Sequence, residues 1–103
     1  MAKVLQDRFG RAVRLTEERM AHILEHAEME GQLDKLGEGL QEPDVIVRSQ
    51  HDPNVHLYHK HYAATPVSEK YLLVAVKVAE DDAFVLTAFF TNTIQKGERL
   101  WEK

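Results

Sequence analysis

The chain has 103 residues, 44% of them apolar and 29% charged, which is typical of a single globular domain spanning residues 1–103. It contains no cysteine, which excludes disulfides, cysteine-ligated zinc and a thiol nucleophile. Its net charge of −4 argues against a broad nucleic-acid-binding surface, although the acidity is concentrated in residues 20–44.

No apolar stretch of the sequence is long enough to cross a membrane. The longest, residues 71–76, is far short of the ~20 residues that a spanning helix needs. The first residues, MAKVLQDRFGR, lack the apolar segment of a signal peptide. We therefore expect a cytoplasmic protein with no membrane partner.

The first third of the chain predicts a short hairpin or an extended lead-in, followed by a helix. The hairpin would pair residues 4–9 with residues 12–15. Thr16 has the side chain of a helix N-cap, and the two glutamates after it suit the positive end of a helix. The helix should run to about His26 or Ala27, with an apolar stripe that consists of Met20, Ile23, Leu24 and Ala27.

A second helix is predicted over residues 32–41, ended by Pro43, and four strands should follow it. The strands are residues 45–50, 55–62, 72–78 and 84–91, separated by turn signals such as Asp52-Pro53-Asn54. The tail predicts a short turn or helix whose Leu100 and Trp101 dock on the core. This order predicts an α+β fold with N-terminal helices packed on one face of a small antiparallel sheet of about four strands.

The helix after Thr16 carries a possible metal motif. His22-Ile23-Leu24-Glu25-His26 matches the H-x-x-E-H string of inverted zinc metallopeptidases, in which two histidines one turn apart bind zinc. Both histidines lie off the apolar stripe, which fits metal ligands and ordinary surface residues equally. A zinc hydrolase using His22 and His26 is therefore the third candidate function.

A second group of candidates comes from the histidines His51, His56, His59 and His61. His59 and His61 are two residues apart on a strand, so both can project to one side, a workable spacing for metal ligands. No acidic residue lies within that strand to complete a metal site. A histidine acting as acid or base is the better interpretation, because its pKa suits that work near neutral pH.

Several strands also carry polar residues inside apolar runs, namely Arg48, Tyr58, Lys60, Lys77 and Thr87. Lys77 follows Leu72–Val76 directly, a costly position for an ammonium group unless it meets water or an anion. Arg48 could bind a phosphate with two hydrogen bonds. Whether these residues share one face depends on strand register, which the sequence does not fix.

Nearly the whole chain, roughly residues 13–101, carries segments of a known pattern. These are Arg14-Leu15-Thr16, residues 21–26, residues 42–45, Asp52-Pro53, residues 57–60 with Tyr62, residues 70–72, residues 76–78, residues 84–89 with Thr91, residues 94–98 and Leu100-Trp101. Together they resemble small bacterial and phage-linked domains of the barnase–EndoU–colicin–RelE ribonuclease-like class.

The resemblance implies a metal-independent ribonuclease, toxin-like or phage-associated, that needs no cofactor and holds RNA on the sheet face away from the helices. The catalytic residues that it implies are Lys77 and Arg48 for the phosphorane charge, His59 or Tyr58 for proton transfer, and His22 as a further acid or base. The implied substrate-binding residues are Thr87, Lys60 and Thr91.

The partners expected from this interpretation are RNA and a cognate inhibitor protein. The alternative is a non-catalytic interaction module that forms a homodimer through a sheet edge. RNA affinity would favour the first function, and a concentration-dependent mass without RNA affinity would favour the second.

Overall fold

A seven-stranded mixed sheet forms the body of the protein. The computed structural model describes residues 3–103. The strand order is β1-β2-β6-β5-β4-β3-β7, and every neighbouring pair is antiparallel except β2 and β6, which are parallel. In chain order the elements are β1 (Lys3–Gln6), β2 (Ala12–Leu15), α1 (Glu17–Leu24), a 3₁₀ turn (Ala27–Met29), α2 (Lys35–Gln41), β3 (Val45–Arg48), β4 (Val55–Tyr62), β5 (Lys70–Val78), β6 (Ala83–Thr91) and β7 (Arg99–Glu102).

The predicted architecture is wrong in its sheet and in the secondary structure of its C-terminal tail, although Leu100 and Trp101 pack against the core as predicted. The sheet has seven strands of mixed direction instead of about four antiparallel ones, and only two short helices accompany it. The N-terminal hairpin joins the sheet where Arg14 lies in register beside Phe84, and the Arg14 guanidinium binds the Asp82 carboxylate at 2.6 and 3.0 Å. The tail forms β7 beside β3, because its backbone completes the edge that β3 would otherwise expose.

The helices begin close to where the sequence predicts, but both are shorter. Thr16 caps α1 as predicted, its hydroxyl accepting a 3.1 Å hydrogen bond from the Arg19 amide. α1 ends at Leu24 instead of about His26 or Ala27, and the 3₁₀ turn follows. α2 begins three residues later than predicted, at Lys35. None of the helices in residues 3–103 is long and apolar enough to cross a membrane.

One face of the sheet, here called the core face, contributes to the main hydrophobic core. The register places Ile46, Tyr58, Val74 and Ala88 side by side on this face, and all four are buried. The helical segments add buried side chains to the same core, namely Ile23, Met29, Leu36 and Leu40. Burying this apolar area is the main source of stability for a domain of this size.

The opposite face of the sheet, here called the strap face, carries a smaller apolar cluster. Its centre consists of the buried residues Val55, Leu73 and Ala75, and the partly buried residues around them are Leu57, Leu86 and Phe89. Val47 lies in register with Leu57 and is therefore on this face as well. Both faces of the sheet are thus partly apolar. A four-stranded sheet with one face open to solvent would need apolar residues on its other face only.

Residues 92–98, here called the crossing segment, run across the strap face. They connect β6 to β7, which lies at the far edge of the sheet beyond β5, β4 and β3. The Gln95 amide contacts His59 on β4, and Gly97 packs against Val47 and the Arg48 carbonyl on β3. The crossing segment therefore covers part of the strap face.

Candidate functional site

The two cations implied for catalysis, Lys77 and Arg48, lie on opposite faces of the sheet. Lys77 is in register with Val55, whereas Arg48 is in register with His56. Consecutive residues of a strand point to opposite faces, so these two side chains leave the sheet in opposite directions. A phosphate bound on either face therefore cannot contact both.

Both of these cations also have carboxylate partners. Lys77 binds Asp52, and this hydrogen bond holds the pKa of the Asp52 carboxyl below its usual range. Arg48 Nε lies 3.0 Å from Glu98 Oε1, and its Nη1 donates to the Pro53 carbonyl at 3.0 Å. Their charges are thus compensated within the protein, which leaves less attraction for a phosphate.

The implied proton-transfer residues Tyr58 and His59 are both fully buried. Tyr58 lies on the core face, where its hydroxyl donates to Asp7 Oδ2 at 2.6 Å. Burial, followed by this contact with Asp7, raises the pKa of the Tyr58 hydroxyl. His59 lies on the strap face, beneath Gln95 of the crossing segment. In this structure neither side chain is open to a bound RNA.

The implied substrate-binding residues Thr87 and Lys60 are also on opposite faces. Thr87 is in register with Ala75 on the strap face, and its buried hydroxyl has no hydrogen-bond partner among residues 3–103. Lys60 is in register with Leu72 of the main core, and its ammonium donates to the Glu42 carbonyl at 3.0 Å. The structure does not bring these two residues together.

The histidines of the H-x-x-E-H string lie near β6, where His26 contacts Phe89. The ring centroids of His22 and His26 are 6.4 Å apart, and that of His26 is 5.7 Å from that of Phe89. Within the described residues, no group of three or more histidine or acidic side chains is placed to hold a metal ion. The pair therefore lacks the third protein ligand that a catalytic zinc site uses.

The remaining implied residue, Thr91, belongs to a row of polar side chains on the strap face. His61, Tyr71 and Thr91 are directly in register on β4, β5 and β6. The ring centroids of His61 and Tyr71 are 5.4 Å apart. Three adjacent strands thus present an imidazole, a phenol and a hydroxyl at one end of the sheet. This end lies about 20 Å along β5 from Lys77, at the usual rise of a strand.

A carboxylate completes this group, because His61 Nε2 lies 2.6 Å from Glu69 Oε2. Lys70 reaches the same place from the start of β5, and its ammonium donates to the Asn92 side-chain oxygen. These residues line a cleft of about 190 Å³, here called the dyad cleft, whose lining is His61, Glu69, Lys70, Tyr71 and Asn92. The cleft therefore holds a histidine–carboxylate dyad beside a cation.

A tight turn before β5 brings Glu69 back to His61. Thr65 and Ser68 exchange two backbone hydrogen bonds of 3.1 Å, and the Thr65 hydroxyl donates to the Ser68 carbonyl at 2.6 Å. Ser68 adopts a φ of 82°, in the left-handed region that non-glycine residues rarely occupy. Such a conformation persists where surrounding contacts fix it, and here those contacts set the position of the next residue, Glu69.

The dyad has the geometry of an acid–base pair. When a carboxylate accepts the Nε2 proton of a histidine, the other ring nitrogen, Nδ1, is left as the proton acceptor. Lys70 contacts a neutral amide oxygen, and residues 3–103 place no carboxylate in ion-pair contact with it, unlike Lys77 and Arg48. The dyad cleft thus combines a proton acceptor with a cation available to an anionic ligand.

The sequence points to His61 and Thr91, but it does not reveal Glu69, Lys70, Tyr71 and Asn92 as their partners. Glu69 lies in the loop before β5, eight positions after His61, so neither strand periodicity nor a known motif points to it. The signal that could have found it is the loop length, since Thr65-Pro66 permits a reversal that returns the chain to the end of β4. No protein-family model, curated protein or solved structure matches this chain.

Proposed function

We propose that this protein is a metal-independent ribonuclease whose catalytic centre is the dyad cleft. The observation that carries the proposal is the 2.6 Å contact between His61 Nε2 and Glu69 Oε2, beside Tyr71 and Lys70. The resemblance of the sequence to ribonuclease-like domains supplies the substrate class. RNA is the proposed partner, the cytoplasm the proposed location, and a cognate inhibitor protein stays a prediction.

The reaction uses the residues of the cleft as follows. His61 Nδ1 removes the proton from a ribose 2′-hydroxyl, and the oxygen attacks the neighbouring phosphorus. Lys70 stabilises the negative charge that develops on the phosphoryl oxygens, while Glu69 stabilises the protonated imidazole. Tyr71 gives a proton to the departing 5′-oxygen, and solvent returns the proton from His61 to Tyr71. The products are a 2′,3′-cyclic phosphate and a 5′-hydroxyl.

The test is cleavage of a mixed-sequence fluorescent RNA, with and without EDTA, by the wild type and two variants. His61→Gln removes the proposed base, and Lys77→Gln is the matched control on the same face, about 20 Å away. We expect EDTA-resistant cleavage that leaves a cyclic phosphate, is lost in His61→Gln and persists in Lys77→Gln.

Three results would contradict this function. Cleavage that persists in His61→Gln would show that the histidine–carboxylate dyad does not catalyse the reaction. Cleavage abolished by EDTA would point to a metal and to the pair His22 and His26. No cleavage of any RNA by the wild type would favour the second candidate function, a non-catalytic interaction module.

The second candidate is favoured by the exposed edge strand β1. Within the described part of the chain β1 pairs only with β2, and Val4 and Phe9 are 65% and 58% exposed in this hairpin. An open strand edge with apolar neighbours can pair with the same edge of a second copy. Sedimentation equilibrium tests this: a dimer should dissociate in Val4→Glu but persist in Val67→Glu, a control at an exposed loop residue.

A further inference from the structure

The crossing segment is attached to the sheet through a buried, titratable side chain. The Gln95 amide donates a 3.1 Å hydrogen bond to Nε2 of His59, which is 0% exposed. Because Nε2 accepts this bond, the ring is neutral and its proton is on Nδ1. Nδ1 has no hydrogen-bond partner among residues 3–103. His59 is thus held in one protonation state by its contact with the segment.

A second proton on His59 would be incompatible with this contact. Nε2 would then carry a hydrogen directed at the hydrogen of the Gln95 amide, and a positive charge would enter a site closed to water. Burial lowers the pKa of His59 and outweighs the backbones of Val45 and Leu57, which raise it, while the charge of Arg99 on β7 adds a smaller lowering effect. Acid would therefore separate the segment from the ring before it could protonate the ring in place.

Among the other neighbours of His59, the backbones of Val45 and Leu57 favour a charged imidazole, but burial has the larger effect. In register, β3 and β5 contribute the apolar residues Val45 and Leu73. Asp44, just before β3, uses a carboxylate oxygen for the His61 amide, and His61 on the same strand is bound to Glu69. The charged residues of the crossing segment itself are Lys96 and Glu98, and Glu98 pairs with Arg48.

We propose that the crossing segment is an acid-released strap, which detaches from the strap face when His59 is protonated while the sheet stays folded. The sheet can stay folded because the backbone of His59 pairs with β3 on one side and β5 on the other, independently of its ring. Detachment uncovers the apolar surface around Leu57 and Leu73. It also frees Asn92, the residue that holds Lys70, at the start of the segment.

The direction of the pH dependence follows from the protonation states. His59 binds a proton more readily when the strap is open than when it is closed, so acid favours the open form. Protonation of His59 does not disfavour the closed form above pH 6.5, the ordinary pKa of histidine. As the pH falls below that value, protonation increasingly favours the open form. The consequence for Lys70, and hence for RNA cleavage, rests on the function proposed above.

The experiment measures amide hydrogen exchange by NMR between pH 7.5 and pH 4.0, expressed as protection factors. The reporter is the Gln95 amide, and the Val74 amide in the middle of the sheet reports on global unfolding. His59→Gln offers a neutral acceptor that does not titrate, and His51→Gln is the matched control at an exposed histidine. In the wild type, we expect Gln95 protection to fall at least about tenfold, which corresponds to ~1.4 kcal/mol, with Val74 unchanged.

The same fall should occur in His51→Gln and be absent in His59→Gln. The proposal is overturned if Gln95 stays protected throughout, if protection falls equally in His59→Gln, or if Val74 loses protection together with Gln95. If His59→Gln does not fold, the imidazole signals of wild-type His59 decide, because their titration must coincide with the loss of Gln95 protection. None of these measurements requires RNA, so failure of the ribonuclease proposal would leave the result intact.

Discussion

The Tyr58 hydroxyl donates a 2.6 Å hydrogen bond to the Asp7 carboxylate and so joins the centre of the sheet to the N-terminal hairpin. Asp7 is only 4% exposed, yet it also accepts hydrogen bonds from the amides of Phe9 at 2.9 Å and Arg11 at 2.8 Å. A buried carboxylate requires such partners, because leaving its oxygens unpaired is costly. Tyr58 is therefore a structural residue, which gives the first prediction.

Tyr58→Phe should lower the free energy of unfolding by about 1–3 kcal/mol, since it leaves one oxygen of buried Asp7 without its donor. The matched control is Tyr62→Phe, which removes a 2.6 Å hydrogen bond to the exposed carboxylate of Glu38 and should cost less. Urea denaturation followed by circular dichroism measures both. Equal losses in the two variants would contradict the buried role of Tyr58.

The free energy of unfolding should also fall at alkaline pH, because Tyr58 ionises more readily in the unfolded chain than in the folded protein. Burial, with the contact to Asp7, raises the pKa of Tyr58 above its ordinary value of 10.0. As the pH rises, Tyr58 therefore loses its proton in the unfolded chain before it does so in the folded protein. Its contribution to the free energy of unfolding is complete below pH 10.0 and is lost as the pH rises further. Urea midpoints at pH 8, 10 and 11 should fall less steeply in Tyr58→Phe than in the wild type.

Gly97→Ala should destabilise the protein by about 2–4 kcal/mol. Gly97 has a φ of 147°, and a Cβ there would overlap the Arg48 carbonyl oxygen and lie 2.8 Å from Val47 Cγ1. Gly37→Ala in α2 is the control, because nothing lies within 4 Å of its Cβ and alanine favours a helix. We expect that variant to gain about 0.5–1 kcal/mol. A neutral Gly97→Ala would show that the crossing segment does not pack closely on β3.

The proposed dyad predicts strong coupling between His61 and Glu69. Glu69→Gln should slow RNA cleavage by roughly 10–100-fold, because a neutral amide cannot stabilise the protonated imidazole. In a protein that already carries His61→Gln, the same change should have almost no further effect. The single-turnover rates of the two single variants and the double variant give this coupling. Glu80→Gln, at an exposed turn, is the control and should leave the rate unchanged.

Local signals predicted the middle of the fold well. The turns Asp52-Pro53-Asn54 and Glu80-Asp81-Asp82 connect strands that pair with their neighbours in sequence, so β4, β5 and β6 were foreseen. The sequence did not predict that β2 pairs with β6 or that β3 pairs with β7, because each of these pairings joins segments that are distant in the chain. Nothing in a four-residue strand specifies such a partner.

The candidate site was only partly predictable for a related reason. His61 and Thr91 were identified by residue type, but their alignment with Tyr71 depends on the register of three strands. The same register separates Arg48 from Lys77, two cations whose types alone suggested a shared phosphate site. Glu69 owes its position to the turn at Ser68, which strand periodicity does not reveal.

The parallel junction between β2 and β6 has a consequence for how the protein is made. Arg14 and Asp82, which join the two strands, are 68 positions apart. Closing so long a loop is entropically unfavourable until the segments between them have folded. On the ribosome the N-terminal hairpin must therefore wait until β6 has been synthesised, and Val13 and Leu15, which the completed fold buries, stay uncovered until then. We expect nascent chains shorter than about 90 residues to be those that depend most on chaperones.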